Sequence, residues 1–267
     1  MDVGIRNCHI LVTGASGGIG LESTRVFLEE GARVTATYRT SPRDLMTLES
    51  KWADQLEICQ VDITEELQVQ ALFTQANDRF GRVDVLVANA GIANREGKAV
   101  QNMTLEQWNE TISVNLTGTF LSAKYFFINL EMHPGDSASL VFVGSTAGFF
   151  GEAWYCDYSA SKAAMHGLMM SLKNEIAHLS PRGRVNLVNP GWTHTPMAED
   201  ALMDKEMLRR ILQTIPMRKV AHPSDIANTI LYLASEKLSG HISGLTINVA
   251  GGMEGRVLYS LDELDIP

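Results

Sequence analysis

Seven short runs rich in β-branched and other apolar residues punctuate the chain: HILVT (9–13), RVTATY (33–38), LEICQV (56–61), VDVLVA (83–88), SLVFVG (139–144), RVNLV (184–188) and LTINV (245–249). None alternates cleanly between apolar and polar positions, as expected of strands buried on both faces. Between the runs the apolar spacing changes to three and four. Val69, Leu72, Phe73, Ala76 and Phe80 repeat at that interval and predict a helix, with Thr64 placed to cap its start and Gly81 to end it. Strand and helix alternate along the whole chain. This order requires right-handed crossovers and predicts an α/β fold, a doubly wound parallel sheet of about seven strands with helices on both faces. No repeat or Pro/Ser-rich linker interrupts the pattern, so one domain is expected over 1–267. A helical excursion at about 194–215 is placed to act as a mobile lid. Helices expected around 105–131 and 155–179 carry TFLSAKYFFI and AAMHGLMMSLKNEI, more apolar surface than covering one sheet face requires.

Composition narrows the function. The 22 Lys and Arg against 31 Asp and Glu give a net charge of -9, which argues against a sequence-independent nucleic-acid partner. The first residues lack the basic and apolar regions of a secretory signal, and no run reaches the ~18 apolar residues of a membrane span. A cytoplasmic protein without membrane partners is expected. Cys8, Cys59 and Cys156 are widely spaced and contain no CxxC, so neither a disulfide framework nor a metal site is indicated.

Directly after the first run, TGASGGIG (13–20) opens a helix. Gly14, Gly18 and Gly20 let a backbone turn tightly, approach a pyrophosphate and pack helix on strand, while the helix N-terminus offers free N–H groups. Further along, YSASK (158–162) sets Tyr158 and Lys162 four residues apart, on one face of a helix.

With TGASGGIG and YSASK stand VDIT with Asp62, ANAG (88–91), VNLTG with Asn115, GSTAG with Ser145 and NPGWTHT (189–195). In this order, from Thr13 to about Gly252, the sequence resembles the short-chain dehydrogenase/reductases, the branch with one Rossmann-like domain. The resemblance implies an oxidoreductase that interconverts a ketone or aldehyde and a secondary alcohol by hydride transfer, using NADP(H) in preference to NAD(H). It makes Tyr158 the general acid/base, Ser145 the group that orients the carbonyl, and Lys162 both the cation that lowers the Tyr158 pKa and a ligand of the nicotinamide ribose. Asn115 resembles the residue that holds a helix kink and a water linking Lys162 to solvent. For the cofactor it implies Gly14, Ser16, Gly18, Ile19 and Gly20 at the phosphates, Asp62 and Ile63 at the adenine, and Asn89, Ala90 and Gly91 beside the adenosine ribose. Pro190, Gly191, Thr193 and Thr195 would lie at the nicotinamide. Relatives of this kind assemble as homotetramers or homodimers.

The chemistry agrees with this assignment. A phenol with a pKa near ~10 is a poor base at neutral pH unless a cation favours its phenolate. Tyr38 stands where NAD enzymes carry an acid after the second strand, and Arg39 follows with a guanidinium suited to a 2′-phosphate. Gly17 takes the place of the second basic residue found in many NADP enzymes. A small-molecule carbonyl or alcohol is the expected partner, in a pocket drawing on Ala93, Asn94, Arg95, Phe149, Phe150, Glu152, Trp154, Tyr155, Trp192 and the 194–215 segment. Two other readings stand beside this one: a 3-oxoacyl-thioester reductase of the same family, and a non-catalytic NAD(P)-sensing regulator.

Overall fold

In the computed structural model, which describes residues 2–264, all seven apolar runs are strands. Residue 1 and residues 265–267 of the expected 1–267 unit lie outside the described residues. In chain order the elements are β1 (His9–Val12), α1 (Gly18–Glu29), β2 (Arg33–Tyr38), α2 (Leu45–Trp52), β3 (Leu56–Gln60), α3 (Glu66–Phe80), β4 (Val85–Ala88), α4 (Leu105–Ile112), α5 (Thr119–Met132) and β5 (Ser137–Val143). They continue with α6 (Thr146–Phe150), α7 (Cys156–Leu179), β6 (Arg182–Pro190), α8 (Glu199–Met203), α9 (Lys205–Leu212), α10 (Pro223–Ala234), α11 (Glu236–Ser239) and β7 (Thr246–Val249).

The strands form one parallel sheet in the order β3-β2-β1-β4-β5-β6-β7. Its residues feed two cores in turn. Ile10, Val12, Val85, Val87, Val141 and Val143 face one layer with Phe27, Leu45 and Ile230, from α1, α2 and α10. Leu11, Leu86, Leu140 and Phe142 face the other, with Phe73, Phe126 and Met169 from α3, α5 and α7. This two-sided burial is why the strands read as continuous apolar runs. The chain winds outward from β1 to β3 and then returns to start β4 on the other side of β1. That reversal opens a crevice beyond the carboxyl ends of β1 and β4, where ligands bind in sheets of this type.

Two local features depart from simple helix expectations. Thr64 does not cap α3; its N–H and hydroxyl both donate to Asp62 Oδ1, at 3.0 and 2.7 Å, and Glu65 takes the cap position without a side-chain bond. A nearer acceptor in the preceding turn has captured the hydroxyl. Gly81 ends α3 with φ of 78°, as expected. Between α4 and α5, Ser113–Gly118 is a π-type stretch that contains Asn115, so the expected long helix is continuous but locally widened and underwound. No helix among the described residues is long and apolar enough to cross a membrane.

Candidate active site

Beyond the carboxyl ends of the strands lies a cleft of about 510 Å³ that runs from Tyr38, Arg39, Thr40 and Arg43 at the end of β2 to Ser145, Tyr158 and Lys162. It takes in the glycine-rich turn (Gly14, Ser16, Gly17, Gly18, Ile19), Asp62 and Ile63 after β3, Asn89, Ala90 and Gly91 after β4, and Pro190, Gly191, Thr193 and Thr195 after β6. Of the expected catalytic and cofactor residues, two do not line it. Gly20 faces inward, where any side chain would collide with the Gly14 carbonyl and reach to 2.6 Å of Asn89 Nδ2, so its smallness serves helix-on-strand packing. Asn115 is fully buried behind the cleft wall.

The turn itself is held from β4. Thr13 Oγ1 accepts the N–H groups of Asn89 and Ala90 at 3.0 and 3.1 Å, and Asn89 Nδ2 donates to the carbonyls of Thr13 and Gly14 at 3.0 and 2.9 Å. Gly14 has φ of 65°, and a Cβ there would stand 2.7 Å from Ala90 Cα; glycine is needed on both counts. α1 begins at Gly18 with no side-chain cap and no acid in its first turn, so its leading N–H groups and positive end are open to an anion. The donor set, the long cleft and the basic pair at its far end together fit a dinucleotide phosphate.

At the other end, α6 and α7 bring the reacting groups together. Ser145 precedes α6, its N–H donating to Asn189 Oδ1 at 3.2 Å and its hydroxyl accepting from Ala147 N at 3.1 Å. α6 lies directly on α7, because a Cβ at Gly148 would come within 2.7 Å of Ala163 N. Tyr158 and Lys162 sit one turn apart on α7, with Nζ 5.8 Å from the centre of the phenol ring. Lys162 is 6% exposed and donates to the Val143 carbonyl at 2.9 Å. Asn115 Oδ1 accepts from Ile92 N at 2.7 Å, while its amide donates to Ile92 O at 2.9 Å and to Ser161 Oγ at 3.0 Å. The π-type stretch therefore ties the wall after β4 to the helix carrying Tyr158.

Burial dominates the electrostatics of this pair. Burial pushes the Tyr158 phenol up, and the neighbouring Ser145 side chain offsets this only in part. Burial likewise pulls Lys162 down, to about 8.

The aromatic pocket expected around Tyr158 is also smaller. Ala93, Asn94, Arg95, Glu152, Tyr155 and Trp192 line the cleft with Met197, Asp200, Ala201 and Met207. Phe149 and Trp154 do not; they are 62% and 64% exposed on the outside. Phe150 turns toward Gly255, and His194 stacks on His222 with ring centres 5.4 Å apart. The 194–215 segment folds over the cleft, bringing Thr195 and Pro196 against Gly18 and Gly17. Its base is a small core of Ile211, Leu212, Ile215, Val220 and Leu264. Sequence reasoning quoted Asn189 and Gly148 inside the motifs NPGWTHT and GSTAG but gave neither a role; Asn189 holds the Ser145 N–H, and Gly148 lets α6 lie on α7.

Comparison with known proteins agrees with this geometry. Residues 14–254 match the family model described as "Enoyl-(Acyl carrier protein) reductase". The chain is 34% identical over 248 residues to a 3-oxoacyl-acyl-carrier-protein reductase from Synechocystis sp., spanning 91% of this chain and 95% of that protein. It is also 34% identical over 243 residues to an NADP-dependent (R)-specific alcohol dehydrogenase from Lentilactobacillus kefiri, spanning 91% and 94%. The crystal structure of the "Short-chain dehydrogenase/reductase SDR:Glucose/ribitol dehydrogenase" from Brucella melitensis superposes with a TM-score of 0.85 at 30% identity, over 94% of this chain and 98% of that one. Matched across nearly its whole length, the chain belongs to the short-chain dehydrogenase/reductase family of nicotinamide-dependent oxidoreductases.

Proposed function

We propose that this protein is an NADPH-dependent reductase that interconverts a ketone or aldehyde and an alcohol, with Tyr158 as general acid/base. The convergence of Ser145, Tyr158 and Lys162 at one end of a cleft that passes the open N-terminus of α1 carries this reading. Bound along that cleft, the reduced dinucleotide supplies a hydride for the carbonyl carbon. Ser145 donates a hydrogen bond to the carbonyl oxygen and fixes its direction. Tyr158 then gives its phenolic proton to that oxygen. A phenol kept neutral by burial is suited to this task, and the Lys162 ammonium 5.8 Å away stabilises the phenolate that remains. Lys162 would also bind the nicotinamide ribose, while Asn115 holds the π-type stretch against Ile92 and Ser161 and would support a water connecting Lys162 to solvent. Pro190, Gly191, Thr193 and Thr195 would hold the nicotinamide side, and Asp62 and Ile63 the adenine side.

NADPH is favoured over NADH because the end of β2 presents Arg39, exposed and unpaired with any acid among the described residues, next to Thr40 and Arg43, and Tyr38 in place of a carboxylate. The relative from Lentilactobacillus kefiri, named as NADP-dependent, supports the same choice. The Synechocystis relative favours a second reading, a 3-oxoacyl-thioester reductase. Following NADPH fluorescence with simple ketones, hydroxyketones and an acetoacetyl thioester tests both readings. A flat trace with every carbonyl overturns the enzyme reading and leaves a cofactor sensor.

A further inference from the structure

Asp157, the chain neighbour of Tyr158 in the first turn of α7, is a buried acid without a cation. It is 1% exposed and takes part in no salt bridge among the described residues. Its Oδ2 accepts from Thr111 Oγ1 of α4 at 2.8 Å and from Asn94 Nδ2 at 3.1 Å, and its Oδ1 has no partner. The same Asn94 amide reaches Thr111 Oγ1 at 3.4 Å. A buried carboxylate with two neutral donors and a vacant oxygen costs stability that an apolar residue would not. The arrangement therefore calls for a reason beyond packing.

That reason lies in the direction of the Asn94 amide. A carboxylate can only accept, so Asp157 turns the Asn94 NH2 group toward α7 and holds it there. Asn94 lines the cleft, and its remaining polar atom is the carbonyl Oδ1, to which no donor bonds among the described residues. Glu152 also lines the cleft, and desolvation pushes its carboxyl up. Arg95, which could have neutralised these acceptors, is 90% exposed and faces Asp200 across the rim at 3.8 Å. The Asn94 carbonyl is thus an unpaired acceptor in a cleft it shares with the Tyr155 hydroxyl and the Trp192 indole N–H, which can donate.

We propose that Asn94, oriented by Asp157, is a specificity-determining acceptor for a hydroxyl next to the reacting carbonyl. The substrate is then a hydroxyketone, or in the reverse direction a polyol, in preference to a plain ketone or an acyl thioester. Asp157 is a positioning residue, acting through Asn94. This rests on the carbonyl-reductase reading above. A site built to bond a substrate hydroxyl discriminates against the analogue that lacks one, because the acceptor is left unpaired.

The test compares acetoin with butanone, which share a carbon skeleton, and adds acetoacetyl-CoA, all with NADPH. The expected result is a kcat/KM for acetoin about tenfold or more above that for butanone, and above that for the thioester. Asn94→Leu is expected to bring the acetoin-to-butanone ratio toward one. Asp157→Asn, which no longer dictates the amide direction, is expected to lower that ratio chiefly through KM for acetoin. A purely structural role would depress both ketones together and leave the ratio where it was, and that outcome overturns the proposal. Equal use of the two ketones by the unmodified enzyme, or a preference for the thioester, overturns it alone; no turnover with any carbonyl overturns the underlying reading as well.

Discussion

Lys162 holds its ammonium 5.8 Å from the centre of the Tyr158 ring and gives its hydrogen bond to the Val143 carbonyl, with no carboxylate paired to it among the described residues. The cation is thus uncompensated by the protein. It stays available to a phenolate on one side and to ribose hydroxyls on the other, and the folded state bears the cost of desolvating it.

Removing the phenolic proton while keeping the ring isolates the acid step. Tyr158→Phe is expected to bind NADPH nearly as the parent does, since the ring continues to fill its place on α7. Turnover is expected to fall by ~100-fold or more, the scale of a lost general acid. Steady-state kinetics beside a fluorescence titration of NADPH checks both halves. Retention of near-parental kcat rules out the proposed role.

The buried cation makes a stability prediction of unusual sign. Lys162 titrates at about 8 in the folded protein against its ordinary 10.5. Between those values the unfolded chain binds more protons, so stability rises with pH across that window, and below about 8 the penalty is present in full. Its size is on the order of 1–3 kcal/mol once lost hydrogen bonding to Val143 is allowed for. Lys162→Met should therefore lose turnover yet resist urea better than the parent at neutral pH. That advantage should shrink as pH rises through the window. Urea melts of both proteins at neutral and strongly alkaline pH decide it; a variant less stable at both contradicts the burial argument.

The proton balance fixes the direction of the pH profiles. With the phenol pushed up, carbonyl reduction keeps its donor at neutral pH and declines only at strongly alkaline pH, whereas alcohol oxidation accelerates as pH rises. Loss of the Lys162 charge above about 8 should also raise KM for the cofactor in the same range. Profiles of kcat and of KM in both directions test this; a reduction rate already falling between pH 6 and 7 is incompatible with a raised phenol.

The strands could be read from sequence because burial on both faces leaves little choice of residue, as in VLVA of β4, buried at every position. The glycine-rich turn was equally visible, since Gly14 and Gly20 answer local backbone demands. Contacts between distant elements were not. Asp157 meets Asn94 across 63 residues and Ser145 meets Asn189 across 44, and neither pairing leaves a local pattern. Aromatic content likewise could not say that Phe149 and Trp154 point away from the cleft while Tyr155 and Trp192 line it. The Thr64 cap failed for a related reason: two candidate partners lay within reach, and the Asp62 carboxylate outcompeted the helix N–H groups.

Cofactor choice is expected to rest on one guanidinium. Arg39 follows β2 in an exposed position lining the cleft, and its charge can pair with a 2′-phosphate that NADH lacks. Arg39→Ala is expected to raise KM for NADPH by about tenfold or more, the worth of one charge-assisted contact, with little change for NADH. Arg43, in the same cleft wall with φ of 45°, should moderate the loss. Kinetics with both cofactors measure it. A parental enzyme that uses the two equally, or prefers NADH, removes the assignment.

Assembly follows from apolar surface that the monomer leaves uncovered. Leu105 on α4, Phe120 and Met132 on α5 and Met170 on α7 are 72%, 48%, 69% and 41% exposed, while Leu121, Phe126 and Met169 of the same helices satisfy the core. α5 and α7 lie together on one layer of the sheet and α4 packs on α7, so a second copy is the natural cover for them. A homotetramer is expected, with a homodimer as the smaller unit built on this layer. Phe120→Glu places a charge where apolar contact is required, without touching the cleft, and should shift the mass seen by light scattering at micromolar concentration toward smaller species. A parental protein that is monomeric at that concentration contradicts the assignment, and a Phe120→Glu variant of unchanged mass places the interface elsewhere.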